Sequence, residues 1–209
     1  HITNEGFSDE NIICPDASST CEVLYSLMED SFVNRAVAEC LYTGIVHDTG
    51  VFKHSNTKEE TMRIAGRLIT KGADPSYIID ETFYKKTFAQ NKALARALDT
   101  AELWLDGAVI GSVITEKDFE ELGIGSGDLD GIVDQLRVTD GVEAAVFLYE
   151  APEGKCKVSM RANGSVDVSR IAREFGGGGH VKAAGCTVSG GWREIIDQIA
   201  GRIAEQLEH

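Results

Sequence analysis

Cysteine is scarce and unpatterned in this chain of 209 residues. The five present (Cys14, Cys21, Cys40, Cys156, Cys186) are odd in number and form no Cys-x-x-Cys pair. That argues against a disulfide frame or a zinc site and for free thiols in a reducing compartment. No apolar run approaches the roughly 18 residues that a membrane span needs, and no charged-then-apolar leader stands at the start. Basic side chains are outnumbered, 20 against 34 acidic, leaving a formal charge of −14. Duplex nucleic acid is held mainly by neutralising its phosphates, so a chain this acidic is not expected to coat it. What is present is ordinary globular usage, 43% apolar and 26% charged, in a length that suits one large domain or two small ones. The composition predicts a soluble, cytoplasmic protein with no membrane partner and no duplex partner. A small anionic ligand on a local basic patch stays compatible with it. Both ends read as artificial: His1 opens the chain without a methionine, and Leu207-Glu208-His209 resembles a tag stub.

The first half reads as helices joined by short turns. Ser19-x-x-Glu22 is a capping box ahead of the apolar face Val23, Leu24, Leu27 and Met28. A second helix runs from Val33 to a stop near Gly44. Thr57-x-x-Glu60 caps a third, which Gly72 ends, and Asp74-Pro75 begins a fourth. Residues 87–102, rich in Lys, Arg and Ala, read as a solvated connector helix between two lobes. Beyond it the apolar period changes from about 3.6 to 2. Asp106-Gly107 marks a hairpin. Helices are expected near Glu116 to Leu122 and Leu129 to Arg137, with strands near Ala144 to Tyr149 and Lys155 to Arg161 between them and two more helices from Val168 and Trp192. Ile195, Ile199, Ile203 and Leu207 make a core-facing stripe on the last helix. The fold class is therefore α/β: a mostly helical portion over 1–86, then a smaller α/β domain with a mixed sheet over 103–206.

The stretch from Lys155 to Lys182 holds six basic residues against two acidic ones, so it carries +4 while the rest of the chain carries −18. Alternation puts Lys155, Lys157, Ser159 and Arg161 on one strand face and Cys156, Val158 and Met160 on the other. The polar face of a half-buried sheet is the plain alternative to a binding surface. Asp167 can cap the next helix, which ends in Gly176-Gly177-Gly178-Gly179-His180. Four glycines can present several backbone N–H groups as an anion-binding nest, with His180 as a neighbouring donor; a flexible linker is the alternative. Upstream, Asp48 in Gly44-Ile-Val-His-Asp-Thr-Gly-Val-Phe52 leaves an apolar run at a turn. It suits either a hard metal cation or a turn in which it bonds its own backbone. The single Asp-Thr-Gly follows helical sequence, which excludes an aspartic protease. Gly123-Ile-Gly125-Ser-Gly127 follows a helix and lacks dinucleotide-fingerprint spacing, so it reads as a loop.

The segments Gly44 to Phe52 and Phe175 to Gly185 resemble two hallmarks of DHH-family phosphoesterases that carry a DHH-associated C-terminal domain. The branch they resemble is the bacterial nanoRNase and pAp-phosphatase type. The resemblance implies that 1–86 is the C-terminal part of a DHH domain and 103–206 the associated nucleotide-binding domain. It gives His1 a phosphate-facing catalytic role, as the end of an Asp-His-His-x-x-Asn motif finishing at Asn4, and Asp48 a metal-ligand role. Arg161, Gly178, Gly179 and His180 become substrate-binding residues. The family's serine and lysine after the arginine are replaced here by Ala162-Asn163-Gly164. Its first metal ligands, from a His-x-x-x-Asp-x-Asp strand, have no counterpart, so the chain as written is expected to hydrolyse little. The implied activity is hydrolysis of short oligoribonucleotides or pAp to mononucleotides with two Mn2+ ions. Short single-stranded RNA, a nucleoside bisphosphate or a mononucleotide is the implied partner, and a homodimer is compatible with the sequence. The alternatives are a cyclic-di-AMP phosphodiesterase, a polyphosphatase-like enzyme and a non-catalytic RNA-binding module.

Overall fold

Helix starts in the first half are set by short polar residues, and the computed structural model, which describes Gly6 and residues 8–208, shows which of them act. The Ser19 hydroxyl accepts the Glu22 N–H at 3.1 Å and opens α1 (Thr20–Leu27). The reciprocal half of the expected box does not form. The Glu22 carboxylate is instead buried, accepting from the Ser18 hydroxyl at 2.5 Å and the Thr61 hydroxyl at 2.7 Å. Asn34 caps α2 (Arg35–Asp48), which runs straight through Gly44 rather than stopping there. Gly44 is a packing glycine: a Cβ on it would lie 2.2 Å from Cys21 Sγ of α1. In α3 (Glu59–Thr70) the cap is Lys58, one residue later than Thr57, and its N–H donates to the Thr61 hydroxyl at 3.2 Å. Gly72, at φ +103°, closes that helix as expected, with its N–H on Ile69 O and the Ala73 N–H on Leu68 O. Asp74 caps α4 (Pro75–Ile79), and a π-helical turn follows at Asp80–Tyr84. Leu41, Tyr42, Ile45 and Val46 of α2 bury against Ile64, Ala65 and Leu68 of α3.

The chain divides into two compact units between Lys85 and Lys86. The second opens with α5 (Phe88–Asp99), whose Ala93 and Ala97 are fully buried against Ile110, Ile114 and Phe147. The helix therefore roofs this unit's sheet rather than standing free as a solvated bridge. Its Arg96 pairs with the buried Asp118 of α6 (Glu116–Leu122). The hairpin at Asp106-Gly107 joins β1 (Glu102–Trp104) to β2 (Val109–Ile114), with Leu105, Asp106 and Gly107 all at positive φ. β3 (Ala144–Ala151) and β4 (Lys155–Ala162) follow, then β5 (Gly178–His180) and β6 (Ala183–Ser189). The mixed sheet has the order β1-β2-β3-β4-β6-β5, in which only β2 and β3 pair in parallel.

Helices cover the two sheet faces unequally. On one face α8 (Val168–Glu174) and α9 (Trp192–Leu207) bury Ile171, Ala172, Ile195, Ile196, Ile199 and Ile203 against Val146, Leu148, Val158 and Met160. The expected α9 stripe ends at Ile203, since Leu207 is 37% exposed. On the other face α5, α6 and α7 (Ile132–Arg137) enclose a separate cluster built on Ile110, Ile114, Ala145 and Phe147 of β2 and β3.

Asp167 starts α8 by accepting the Ser169 and Arg170 N–H groups at 2.9 and 3.2 Å. The Ser169 hydroxyl, first, and those N–H groups hold its carboxyl below the usual carboxylate range. A depressed carboxylate stabilises the fold above its unfolded pKa of about 4, and this contribution fades as pH falls through the lower folded value. Asp167→Ala is expected to cost about 1 kcal/mol near neutrality and to lose less further stability than the parent on acidification. Thermal melting between pH 7 and 3 checks both.

Candidate functional site

The α5–α7 layer stops at β4, where Asp134 of α7 meets Arg161 with its Oδ1 3.1 Å from Nε. Past that point the same sheet face carries the polar side of β4 and the small residues of β6 and β5. Register arranges them in rows. Lys157 lies between Tyr149 and Thr187; Ser159 lies between Phe147 and Gly185, with Gly178 beyond; Arg161 lies between Ala145 and Ala183, with His180 beyond. Directly paired residues share a face, so Arg161, Gly178 and His180 are brought together. Gly179 pairs with Ala184 and falls on the opposite side of the pleat. The α8 helix backs that side, and all three β5 residues are exposed. A hollow of about 430 Å³ runs between β3, β4 and the glycines at 176, 177 and 185. A second, of about 210 Å³, lies under the 126–131 loop and shares Tyr149 and Ser159 with the first.

The four glycines divide their work. Gly176, at φ +71°, donates its N–H to Arg173 O at 3.1 Å, and Gly177 donates to Ala172 O at 2.8 Å. This closes α8 in a Schellman motif, so these two N–H groups are already engaged and do not enter the expected nest. A Cβ on Gly177 would sit 2.2 Å from Gly185 O, and one on Gly179, at φ +145°, 2.5 Å from Ala183 O. Gly178 faces open space, as does Gly176, but Gly176 sits at positive φ and Gly178 does not. The His180 ring makes no hydrogen bond or ion pair among the described residues. Arg161 keeps donors beyond the Asp134 contact and a 3.2 Å bond to Met160 O.

Two residues of the basic stretch turn out to be structural. Lys182 Nζ donates to Gly164 O and, at 3.3 and 3.2 Å, to Asn163 O and Val166 O. Asn163 donates to Arg137 O and Val142 O and accepts from Arg137. The Ala162-Asn163-Gly164 departure thus anchors a turn. Sequence reasoning missed Tyr149 and Thr187, because β6 had not been recognised as a strand and the lateral neighbours of β4 were unknown.

In the first unit Asp48 is the last residue of α2, exposed, and its carboxylate has no partner among the described residues. It does not bond its own turn. Thr49 does that, donating to Ile45 O at 2.6 Å and accepting from the Phe52 N–H at 3.0 Å. Asn56 Nδ2 ties Asp48 O to Ser18 O. Gly50, Val51 and Phe52 all have φ near +60° and reverse the chain. Burial, and next the Asp48 charge, push the Cys21 thiol up. A carboxylate suits a hard cation, but no group of three His, Cys, Asp or Glu side chains among the described residues could hold one. Asp48 alone does not make a manganese site. His1 lies outside the described residues.

These features define an α/β domain with one open, cationic sheet face edged by a glycine strand, preceded by a helical unit with an unpartnered carboxylate at a tight reversal. Residues 106–208 match the DHHA1 domain model. The chain is 30% identical over 209 residues to the bifunctional oligoribonuclease and PAP phosphatase NrnA of Thermus thermophilus, covering 99% of this chain and 61% of that protein. It is 30% identical over 214 residues to the NrnA of Bacillus subtilis, covering 100% of this chain and 65% of that protein. An exopolyphosphatase-related protein of Bacteroides fragilis superposes with a TM-score of 0.90 at 26% identity, over 100% of this chain and 64% of that one. The chain thus spans less than two thirds of the length of these relatives. Its similarity to DHH-type phosphoesterases runs the length of the chain, and the DHHA1 match accounts for its second unit.

Proposed function

We propose that this chain is the C-terminal part of a phosphoesterase that hydrolyses short oligoribonucleotides or pAp to mononucleotides. In this reading residues 1–86 belong to the phosphoesterase domain and supply Asp48, one ligand of a manganese site, with His1 facing the phosphate. Residues 103–206 bind the nucleotide, and 87–102 link the two. The observation that carries the reading is the register that puts Arg161 and His180 in one row and Gly178 in the next, on the same sheet face. Arg161 offers a guanidinium for a phosphate oxygen, His180 adds a ring donor, and Gly178 leaves the backbone open to close approach. Single-nucleotide recognition on a patch of +4 fits an acidic chain, whereas wrapping duplex does not. No described helix is long and apolar enough to cross a membrane; action in the cytoplasm belongs to the same reading.

The test is mononucleotide release from a 5′-phosphorylated diribonucleotide and from pAp, with manganese, by a chain spanning the relatives' full length. Losing one hydrogen bond to a charged phosphate costs about 1.5–3 kcal/mol, so His180→Ala is expected to lower kcat/KM on both by roughly ten- to a hundredfold. Inertness on both, with cleavage of a cyclic dinucleotide or polyphosphate, would overturn the substrate assignment.

A further inference from the structure

Among the described residues, one lysine on the open face is left without a side-chain partner. Lys155 pairs with Glu153 at 2.7 Å, Arg161 with Asp134, and Lys182 with three carbonyls. The Lys157 side chain, exposed on the same β4 face, has no hydrogen bond or ion pair among the described residues. It lies four residues from Arg161, about 13 Å along the strand backbone, far enough to hold a phosphate that Arg161 does not. The larger hollow reaches it, and no carboxylate lines that hollow, although the chain carries −14. Tyr149 borders both hollows, held by an edge contact with Phe119 at 6.2 Å between ring centroids. The glycines at 176, 177 and 185 keep the opposite wall bare.

We propose that Lys157, Tyr149 and Thr187 form a second nucleotide subsite, which takes the next phosphate and base of an oligoribonucleotide whose first nucleotide lies at Arg161 and His180. This rests on the reading of that face as nucleotide-binding and adds to it a length preference and a direction. Lys157 receives the phosphate, Thr187 offers a hydroxyl to the ribose or phosphate, and the Tyr149 ring gives the base a stacking surface, a contact that tolerates any base. The strand then runs along β4 away from His180, so the face holds a diribonucleotide or longer more tightly than a mononucleotide.

The experiment is equilibrium binding of tetra-adenylate and of AMP to this chain in EDTA, comparing parent, Lys157→Ala and Arg161→Ala. Lys157→Ala is expected to raise the tetranucleotide Kd by about tenfold, and by at least about fivefold more than the AMP Kd. It should also flatten log K against log salt by about 0.7, the share of one phosphate on a single strand. Lys157→Arg restores most of the affinity, and Arg161→Ala weakens both ligands alike. Tetra-adenylate with 2-aminopurine at its second base is quenched on binding, and Tyr149→Leu removes that quenching. Equal loss on both ligands, no loss on either, or equal parental affinity for both overturns the second subsite while leaving the face a nucleotide site. If the parent binds neither ligand, the nucleotide reading of the face falls, and the subsite with it.

Discussion

Asp48→Asn is expected to leave the protein as stable as the parent, or slightly more so, while hydrolysis falls by roughly a thousandfold or more. The two halves of that result have separate physical origins. Asp48 ends α2, where the unsatisfied carbonyls make the negative pole of the helix dipole. A carboxylate there is unfavourable by about 0.3–1 kcal/mol when exposed, and no described residue offers it compensation. Removing the charge therefore relieves a small repulsion and breaks no bond, since the turn is held by the Thr49 hydroxyl and Asn56. In the proposed role as a metal ligand, the same carboxylate helps bring charge stabilisation worth several kcal/mol to the transition state, a thousandfold or more at about 1.4 kcal/mol per decade. Thermal melting and manganese-dependent mononucleotide release, measured on a chain of the relatives' full length, separate the two. Hydrolysis within threefold of the parent, about 0.6 kcal/mol, would remove Asp48 from the site. A marked loss of stability would make it a structural residue instead.

Gly177→Ala is expected to destabilise the second unit by about 3 kcal/mol or more, the upper range for forced overpacking. Its Cβ would fall 2.2 Å from Gly185 O and 2.7 Å from Cys186 Cα, both backbone atoms of β6. No side chain can rotate away to make room, so β5 must leave the sheet or α8 must lose its Schellman closure. Gly178→Ala is the internal control. It faces open space at negative φ, so its stability should change by no more than about 0.5 kcal/mol. Nucleotide affinity should fall for Gly178→Ala all the same, because the new methyl occupies the one opening in the strand. Urea unfolding of both variants, read beside AMP binding, decides. If the two glycines prove equivalent in stability, the strand pairing drawn between β5 and β6 is wrong. If Gly178→Ala binds AMP like the parent, the backbone at 178 does not meet the ligand.

Local chemistry made much of the fold readable from sequence. Ser19, Asp74 and Asp167 cap helices because a short side-chain oxygen reaches N–H groups two or three residues ahead, whatever surrounds them. Strict alternation in β4 announced its two faces. The failures have a common cause in partners distant along the chain. Glu22 looked like half of a capping box but was drawn inward by Thr61, 39 residues away. Gly44 looked like a helix stop, and only the approach of Cys21 explains it. β5 and β6 are short or rich in Ala and Gly, so no periodicity marked them; pairing with β4 makes them strands. For the candidate site, the basic stretch and the glycine run were visible, but not that Arg161 and His180 share a face. That depends on Ala183 lying between them, a fact of register. Nor could sequence show that two of the glycines close a helix and that Lys182 braces a turn.

The strand order has a consequence for how the face comes into being. β1 to β4 are laid down in the order in which they are made, each beside its predecessor, so their pairings close short loops and form early. β5 is made before β6 yet ends outside it, with no strand to join until β6 has inserted beside β4. During synthesis, which proceeds from the N-terminus, Arg161 is present long before it has a neighbour at Ala183 or a counterpart at His180. Ligand affinity at these rows is therefore an all-or-none property of the finished sheet. A chain interrupted between His180 and Ala183 carries Arg161, Gly178, Gly179 and His180 and still lacks the surface they form.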